Sequence, residues 1–191
     1  MDSSELEDRL KEISSQDLLT GSFNRQHFTE VLDVAVDNAN QGKQSSIIFY
    51  MVIDHSPHIR SDAGISNADL VLAELATAIH DKVADDHLIA RFADDVFTLL
   101  VEGNDRPAAE GLAETIRTAA ENHMFEASGK NYQVTLIIGL SMIAENTPTV
   151  EQVISRANQA SDSIEEGTPL LSMNRKILSL EKKATQYLQT R

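Results

Sequence analysis

The sequence predicts an α+β sandwich, one central, mostly antiparallel sheet with helices on its faces. Three observations carry that prediction. Ser46 to Ile53 reads SIIFYMVI, a continuous apolar run of strand length, as expected of a strand buried on both faces. His87 to Arg91 and Val96 to Val101 are short apolar segments around Phe92-Ala93-Asp94-Asp95, the pattern of a β-hairpin with an acidic tip. Between them apolar residues recur at helical spacing. The resulting order is helix, strand, helix, hairpin, helix, strand, helix.

The elements follow in order. Ser4 to Ser15 has a helical pattern, with Leu6, Leu10 and Ile13 on one face and charge on the other. It is too short to be stable alone. Asp17 to Arg25 is rich in turn residues, and Asn24 is placed to cap the next helix. That helix carries Phe28, Val31, Leu32, Ala35 and Val36 on its apolar stripe and ends near Gly42. The strand from Ser46 is followed by a polar turn from His55 to Ser66. Asn67 to Val83 is helical, with Leu70, Val71, Leu75, Ala76 and Ile79 inside. Pro107 to His123 is a helix, and Tyr132 to Ile143 a strand interrupted by Gly139. Thr149 to Ile164 is a further helix, capped by Thr147 or Thr149. Gly167-Thr168-Pro169 separates off a final helix, Met173 to Leu188, with Ile177, Leu180, Ala184 and Leu188 on one stripe.

Composition narrows the function. The 191 residues suit one domain with terminal extensions. A net charge of −14 repels nucleic acid and anionic lipid, and it disfavours a triphosphate unless a local cationic site offsets the field. Cysteine is absent, which excludes disulfides and thiolate metal sites. No stretch approaches the roughly 20 apolar residues that span a bilayer, and the first residues lack an apolar signal-peptide run. The expectation is a cytoplasmic protein with no nucleic-acid partner and no direct membrane insertion.

Three segments resemble the GGDEF family of nucleotidyl cyclases. Asp17-Leu18-Leu19-Thr20-Gly21-Ser22-Phe23-Asn24-Arg25 is similar to the family's D-x-L-T-G-L-x-N-R, with Ser22 departing. Asp54, Ile59, Gly64, Asp69 and Leu72 fall on the family's next conserved stretch. Ala90-Arg91-Phe92-Ala93-Asp94-Asp95-Val96-Phe97 occupies the signature hairpin, where the family reads R-Y/F-G-G-D-E-F. The resemblance covers residues 16 to 166. It implies a ferredoxin-like nucleotidyl-cyclase core over residues 16–170, a linker helix over 1–15 and a C-terminal helix or linker over 171–191. The Ser14 to Gly21 segment, continuing Asn24-Arg25-Gln26-His27-Phe28, is similar to FimX-like GGDEF–EAL regulators of type IV pili.

The departures from the family concern its chemistry. A cyclase of this family joins two GTP molecules held by two facing subunits, and metal ions neutralise the phosphates. The family's first metal-binding aspartate corresponds to Val52, and the signature glutamate to Val96. Asp54 matches the second aspartate of the strand-end motif. The guanine-reading asparagine aligns with Arg60 and its partner aspartate is kept as Asp69, so Arg60 is placed to pair with Asp69 and fill the guanine pocket. The lysine after that strand aligns with Pro57. The family's cationic segment near the C-terminus aligns with Ile164-Glu165-Glu166-Gly167-Thr168. The two signature glycines become Ala93 and Asp94, where a tight hairpin ordinarily draws on positive φ; aspartate tolerates this better than most residues. The inhibitory R-x-x-D positions are Ala84 and His87.

These departures predict a degenerate domain that is no enzyme, with no catalytic residue, no metal and no cofactor. It would act between flanking sensory and EAL-type domains, with a homodimer formed through the terminal helices. The alternatives are an active diguanylate cyclase, or a GTP-binding allosteric domain, each needing Mg²⁺ and GTP. Asp54, His55 and His58 lie close in sequence but read as an exposed loop rather than a metal site, and Asp85-Asp86 and Asp94-Asp95 as solvated turns.

Overall fold

A computed structural model of the protein describes residues 14–54, 56–147, 149–165 and 177–179, together with Ser4, Leu6 and Leu10. The elements are β1 (Phe23–Asn24), α1 (Arg25–Asn40), β2 (Ser46–Ile53), α2 (Ser56–Ala63), α3 (Ile65–His80), β3 (Leu88–Ala93) and β4 (Val96–Glu102). They continue with α4 (Arg106–Asn122), β5 (Met124–Ala127), β6 (Lys130–Gln133), β7 (Leu136–Ile143), α5 (Val150–Glu165) and β8 (Ile177–Ser179).

Six strands form one sheet in the order β1-β3-β4-β2-β7-β8. The three inner pairings, β3 with β4, β4 with β2 and β2 with β7, are antiparallel. The outer pairings, β1 with β3 and β7 with β8, are parallel. The mostly antiparallel sheet of the expected fold class is therefore present.

The apolar run of β2 splits between two cores because side chains alternate across a strand. Ile47, Phe49, Met51 and Ile53 face a layer shared with Val71, Leu75 and Ile79 of α3 and Ala113 and Ile116 of α4. Ile48 and Tyr50 face the opposite layer, with Phe28 and Leu32 of α1 and Val153 and Ala157 of α5. Burying each large apolar side chain contributes about 1.5–3 kcal/mol. Asn24 caps α1 as expected, its Oδ1 accepting from the His27 N–H at 2.9 Å. Thr149 Oγ1 accepts from the Gln152 N–H at 3.3 Å at the start of α5, while Thr147 Oγ1 closes the preceding turn onto the Ala144 N–H at 3.0 Å.

Several expectations are corrected. The polar turn from His55 to Ser66 contains helix α2, after which Gly64, at φ 80°, redirects the chain into α3. Leu70 is exposed; Ala68 and Leu72 complete the buried stripe with Val71, Leu75, Ala76 and Ile79. The strand expected over Tyr132 to Ile143 is two strands in two sheets. Lys130–Gln133 pairs with Met124–Ala127 across a turn at Ser128 and Gly129, both at positive φ.

Gly139 does not interrupt β7; it lies opposite Tyr50 in mid-strand. A Cβ there would lie 2.1 Å from the Ala157 carbonyl oxygen and 2.8 Å from the Ser161 nitrogen. Glycine is what lets the α5 backbone press onto the sheet. Ile177–Ser179 is a strand rather than part of the expected final helix. It pairs in parallel with the edge of β7, whose backbone groups need partners. The rest of Met173 to Leu188 lies outside the described residues. Near the N-terminus Ser4, Leu6, Leu10, Ser14 and Ser15 are helical.

Candidate functional site

The signature residues form the turn between β3 and β4. Ala93 pairs with Val96, leaving Asp94 and Asp95 at the tip. Two-residue hairpins usually draw on positive φ, and Asp94 was the residue expected to supply it. Among the described non-glycine residues only Ser128 and Asn146 have positive φ, so this turn does without it. A register shift between Arg91 and Ala93 absorbs the twist instead. Phe97 is fully buried in the α3–α4 layer.

Val52 of β2 stands opposite Val96 of β4. Residues so placed have Cβ atoms about 5 Å apart. Both valines join the layer that holds Phe92, Tyr50 and Phe28. Phe92 packs edge-on to Phe28 and Tyr50, at centroid distances of 6.2 and 5.9 Å, and the Arg25 guanidinium lies 4.6 Å over its ring. The two aligned metal-ligand positions are thus part of an apolar surface.

Beyond the valines the ladder continues through backbone, the Ile53 N–H donating to the Asp95 carbonyl at 2.9 Å. Asp54 is turned toward β7: its N–H donates to the Thr135 carbonyl at 2.9 Å, and its Oδ2 accepts from Thr135 Oγ1 at 3.2 Å. No three His, Asp or Glu groups gather around one point among the described residues. The side chains at this strand end do not fit the carboxylate cage that hard divalent cations favour.

The polar ties around the hairpin were less visible in the sequence. Arg91 Nη1 lies 3.6 Å from Asp17 Oδ1, and Arg91 Nη2 donates to the Asp94 carbonyl at 3.1 Å. Asp17 Oδ1 also accepts from the Thr20 N–H at 2.9 Å and from Thr20 Oγ1 at 2.8 Å. Arg91 therefore joins the N-terminal D-x-L-T loop to the hairpin. The signal was present, an aspartate in one motif and an arginine in another, but only the parallel pairing of β1 with β3 brings them together.

Arg60 on α2 pairs with Asp94, Nη1 to Oδ2 at 3.5 Å, and not with Asp69 as expected. Asp69 is half-buried on α3. Arg60 reaches the hairpin tip because α2 is a helix rather than an open turn. Behind it lies a narrow cavity lined by Ile53, Ser56, Ile59, Leu72 and Val134, with room for no more than about one water.

Ala84 and His87, the positions of the inhibitory motif, close a tight turn on one another. The His87 N–H donates to the Ala84 carbonyl at 3.0 Å, and His87 Nδ1 accepts from the Ala84 N–H at 3.4 Å. His58 is exposed on α2. His55, and the side chains of Ile164 to Thr168, lie outside the described residues.

The family model described as diguanylate cyclase, GGDEF domain, matches residues 14–167. The probable diguanylate cyclase DgcE of Escherichia coli is 26% identical over 147 residues, 77% of this chain and 13% of that protein. The FimX GGDEF domain of Pseudomonas aeruginosa superposes with a TM-score of 0.76 at 32% identity, over 87% of this chain and 97% of that one. The coiled coil and GGDEF domain of DgcB from Caulobacter crescentus, solved with c-di-GMP, superposes with a TM-score of 0.81 at 21% identity, over 92% and 91% of the two chains. The chain spans less than half the length of the first curated relatives it matches, from 13% to 42%.

These relatives correct the expectation of a chain that is no enzyme. Its family is an enzymatic one, and several of its curated relatives carry the name diguanylate cyclase. Side-chain carboxylates at one strand end are not the whole of such a site, because backbone carbonyls also ligate hard cations. Among the described residues no helix is long and apolar enough to cross a membrane. With its fold, its hairpin and its D-x-L-T loop in place, the chain belongs to the GGDEF family, the diguanylate cyclase domain of cyclic di-GMP signalling proteins.

Proposed function

We propose that this domain serves a larger cytoplasmic signalling protein as a regulatory and interaction module. Flanking sensory and EAL-type domains, in a FimX-like arrangement, are its partners, and a second copy joins it through the terminal helices. The observation that carries this reading is the Val52–Val96 pair, which puts apolar surface where the family's aligned positions hold metal ligands. The short span of the chain within its curated relatives supports a larger protein around it.

A second reading, turnover of GTP to cyclic di-GMP, is favoured by the names of the curated relatives. Calorimetric titration of GTP with and without Mg²⁺, followed by assay of the same mixtures for cyclic di-GMP, separates the two. The regulatory reading expects no product and no gain in GTP affinity from Mg²⁺. Accumulation of cyclic di-GMP establishes the second reading. Mg²⁺-dependent binding without product points to a GTP-sensing allosteric domain.

A further inference from the structure

A groove of about 400 Å³ opens between α3 and α4, with Glu74, Thr77, Ala78 and Asp81 on one wall and Ala119 and Asn122 on the other. Ala78 and Ala119 keep it open, because their side chains are too short to fill the space between two packed helices. Lys82 stands at the Asp81 end, and neither Ala84 nor His87 of the inhibitory motif lines it. His123 closes the other end, its Nε2 2.6 Å from Glu74 Oε1. Two large apolar side chains, Leu70 and Met124, are exposed there. Asn67, Leu70 and Glu74 share one face of α3. Asn67 Oδ1 accepts from Ser128 Oγ at 2.9 Å beyond one end of β5, and Glu74 meets His123 at the other. Leu70 therefore lies beside β5, whose Met124 faces outward while Phe125 is buried. The groove thus has an apolar end and a wall bearing two carboxylates.

The chain's own sequence holds an occupant of complementary character. Residues 170–191 contain five of the 16 lysines and arginines, Arg175, Lys176, Lys182, Lys183 and Arg191, but only one of the 30 acidic residues, Glu181. Within them, residues 180–191, which lie outside the described residues, have Leu180, Ala184 and Leu188 at helical spacing with Lys182 and Lys183 between. We propose that residues 180–191 dock into the α3–α4 groove of their own chain, the apolar stripe against Leu70 and Met124 and the lysines against Glu74 and Asp81. β8 ends at Ser179, and α4 contacts both β8 and α3. Twelve residues reach about 40 Å extended and about 18 Å as a helix, and either spans the roughly 10–12 Å width of α4. A short tether gives an effective concentration of about millimolar, which favours this segment over the same segment of another copy. While docked, the segment is withheld from the second copy proposed above.

The chain has no cysteine, so a nitroxide spin label on Gln186→Cys of the full chain is a single reporter for nuclear magnetic resonance. Amide signals of residues 70–82 and 119–124 should broaden, and those of α1, in the layer across the sheet, should not. Lys182→Glu with Lys183→Glu should remove the broadening. Asp81→Lys should remove it too, although a cation at the end of α3 suits that helix by itself. Added salt should weaken it. No broadening, or broadening confined to other surfaces, overturns the docking. Broadening that both charge variants leave in place overturns the charge pairing that selects this occupant. Mixing labelled chain with unlabelled, isotope-enriched chain tests the tether: groove signals that broaden as strongly there give the site to a second copy and overturn docking within one chain. Formation of cyclic di-GMP, which would end the regulatory reading, changes none of these outcomes.

Discussion

Val52 and Val96 face each other across β2 and β4, and both belong to the apolar layer around Phe92. Placing carboxylates at these two positions should create a cation site. Val52→Asp with Val96→Glu should lose about 2–3 kcal/mol without metal, because Val96 is buried and an unpaired carboxylate there is costly. Millimolar Mg²⁺ should then raise the melting temperature of the double variant and leave that of the original chain unmoved. Equal Mg²⁺ responses in thermal melts would show that the valines are not what sets metal affinity.

Gly139→Ala should be severely destabilising, by about 3 kcal/mol or more. The added methyl meets the Ala157 carbonyl oxygen and the Ser161 nitrogen, both backbone atoms that cannot swing aside. Urea unfolding of the variant measures this directly. A midpoint close to that of the original chain would mean that α5 can lift off β7.

Arg117 of α4 has a buried side chain held by Glu114 and Glu121. Hydrogen bonds from Arg117 hold the Glu114 carboxyl below its ordinary value of 4.5. A depressed folded-state pKa stabilises above the unfolded value, and that contribution is lost as pH falls through the folded one. Glu114→Gln should therefore cost stability at pH 7, by no more than about 1 kcal/mol because Glu114 is partly exposed and screened. The difference from the original chain should shrink steadily below about pH 4.5. Urea melts at pH 7 and pH 3 follow this trend, and a gap that widened on acidification would contradict the sign.

Thr98 is fully buried between Tyr50 and Ala90, and its Oγ1 has no hydrogen-bond partner among the described residues. Thr98→Val keeps the shape and removes the unsatisfied hydroxyl. It should leave stability unchanged or raise it by about 1 kcal/mol. A loss above that size in urea unfolding would reveal a partner for the hydroxyl in solution.

The parts of the fold that were legible in the sequence are those set by local physics. SIIFYMVI could be read as β2 because a strand buried on both faces is apolar throughout. Asn24 could be read as a cap because its side chain bonds three residues ahead. The hairpin of β5 and β6 and helix α2 were not legible, since both are short and take their order from neighbours. Ser128 bonds Asn67 and Lys130 approaches Asp62, across more than sixty residues of chain. Gly139 looked like a strand breaker because sequence shows an absent side chain but not the helix that uses the space. At the site, motif alignment found Val52, Val96, Arg60 and Asp94. Only the topology shows that the first two face each other and the last two join.

The most direct test of the central claim is the Mg²⁺ dependence of GTP affinity, measured by calorimetry on the full chain. If the valine pair leaves the strand end without a metal cage, the affinity should be the same in millimolar Mg²⁺ as in chelator. A tenfold or greater gain with Mg²⁺ would contradict the account.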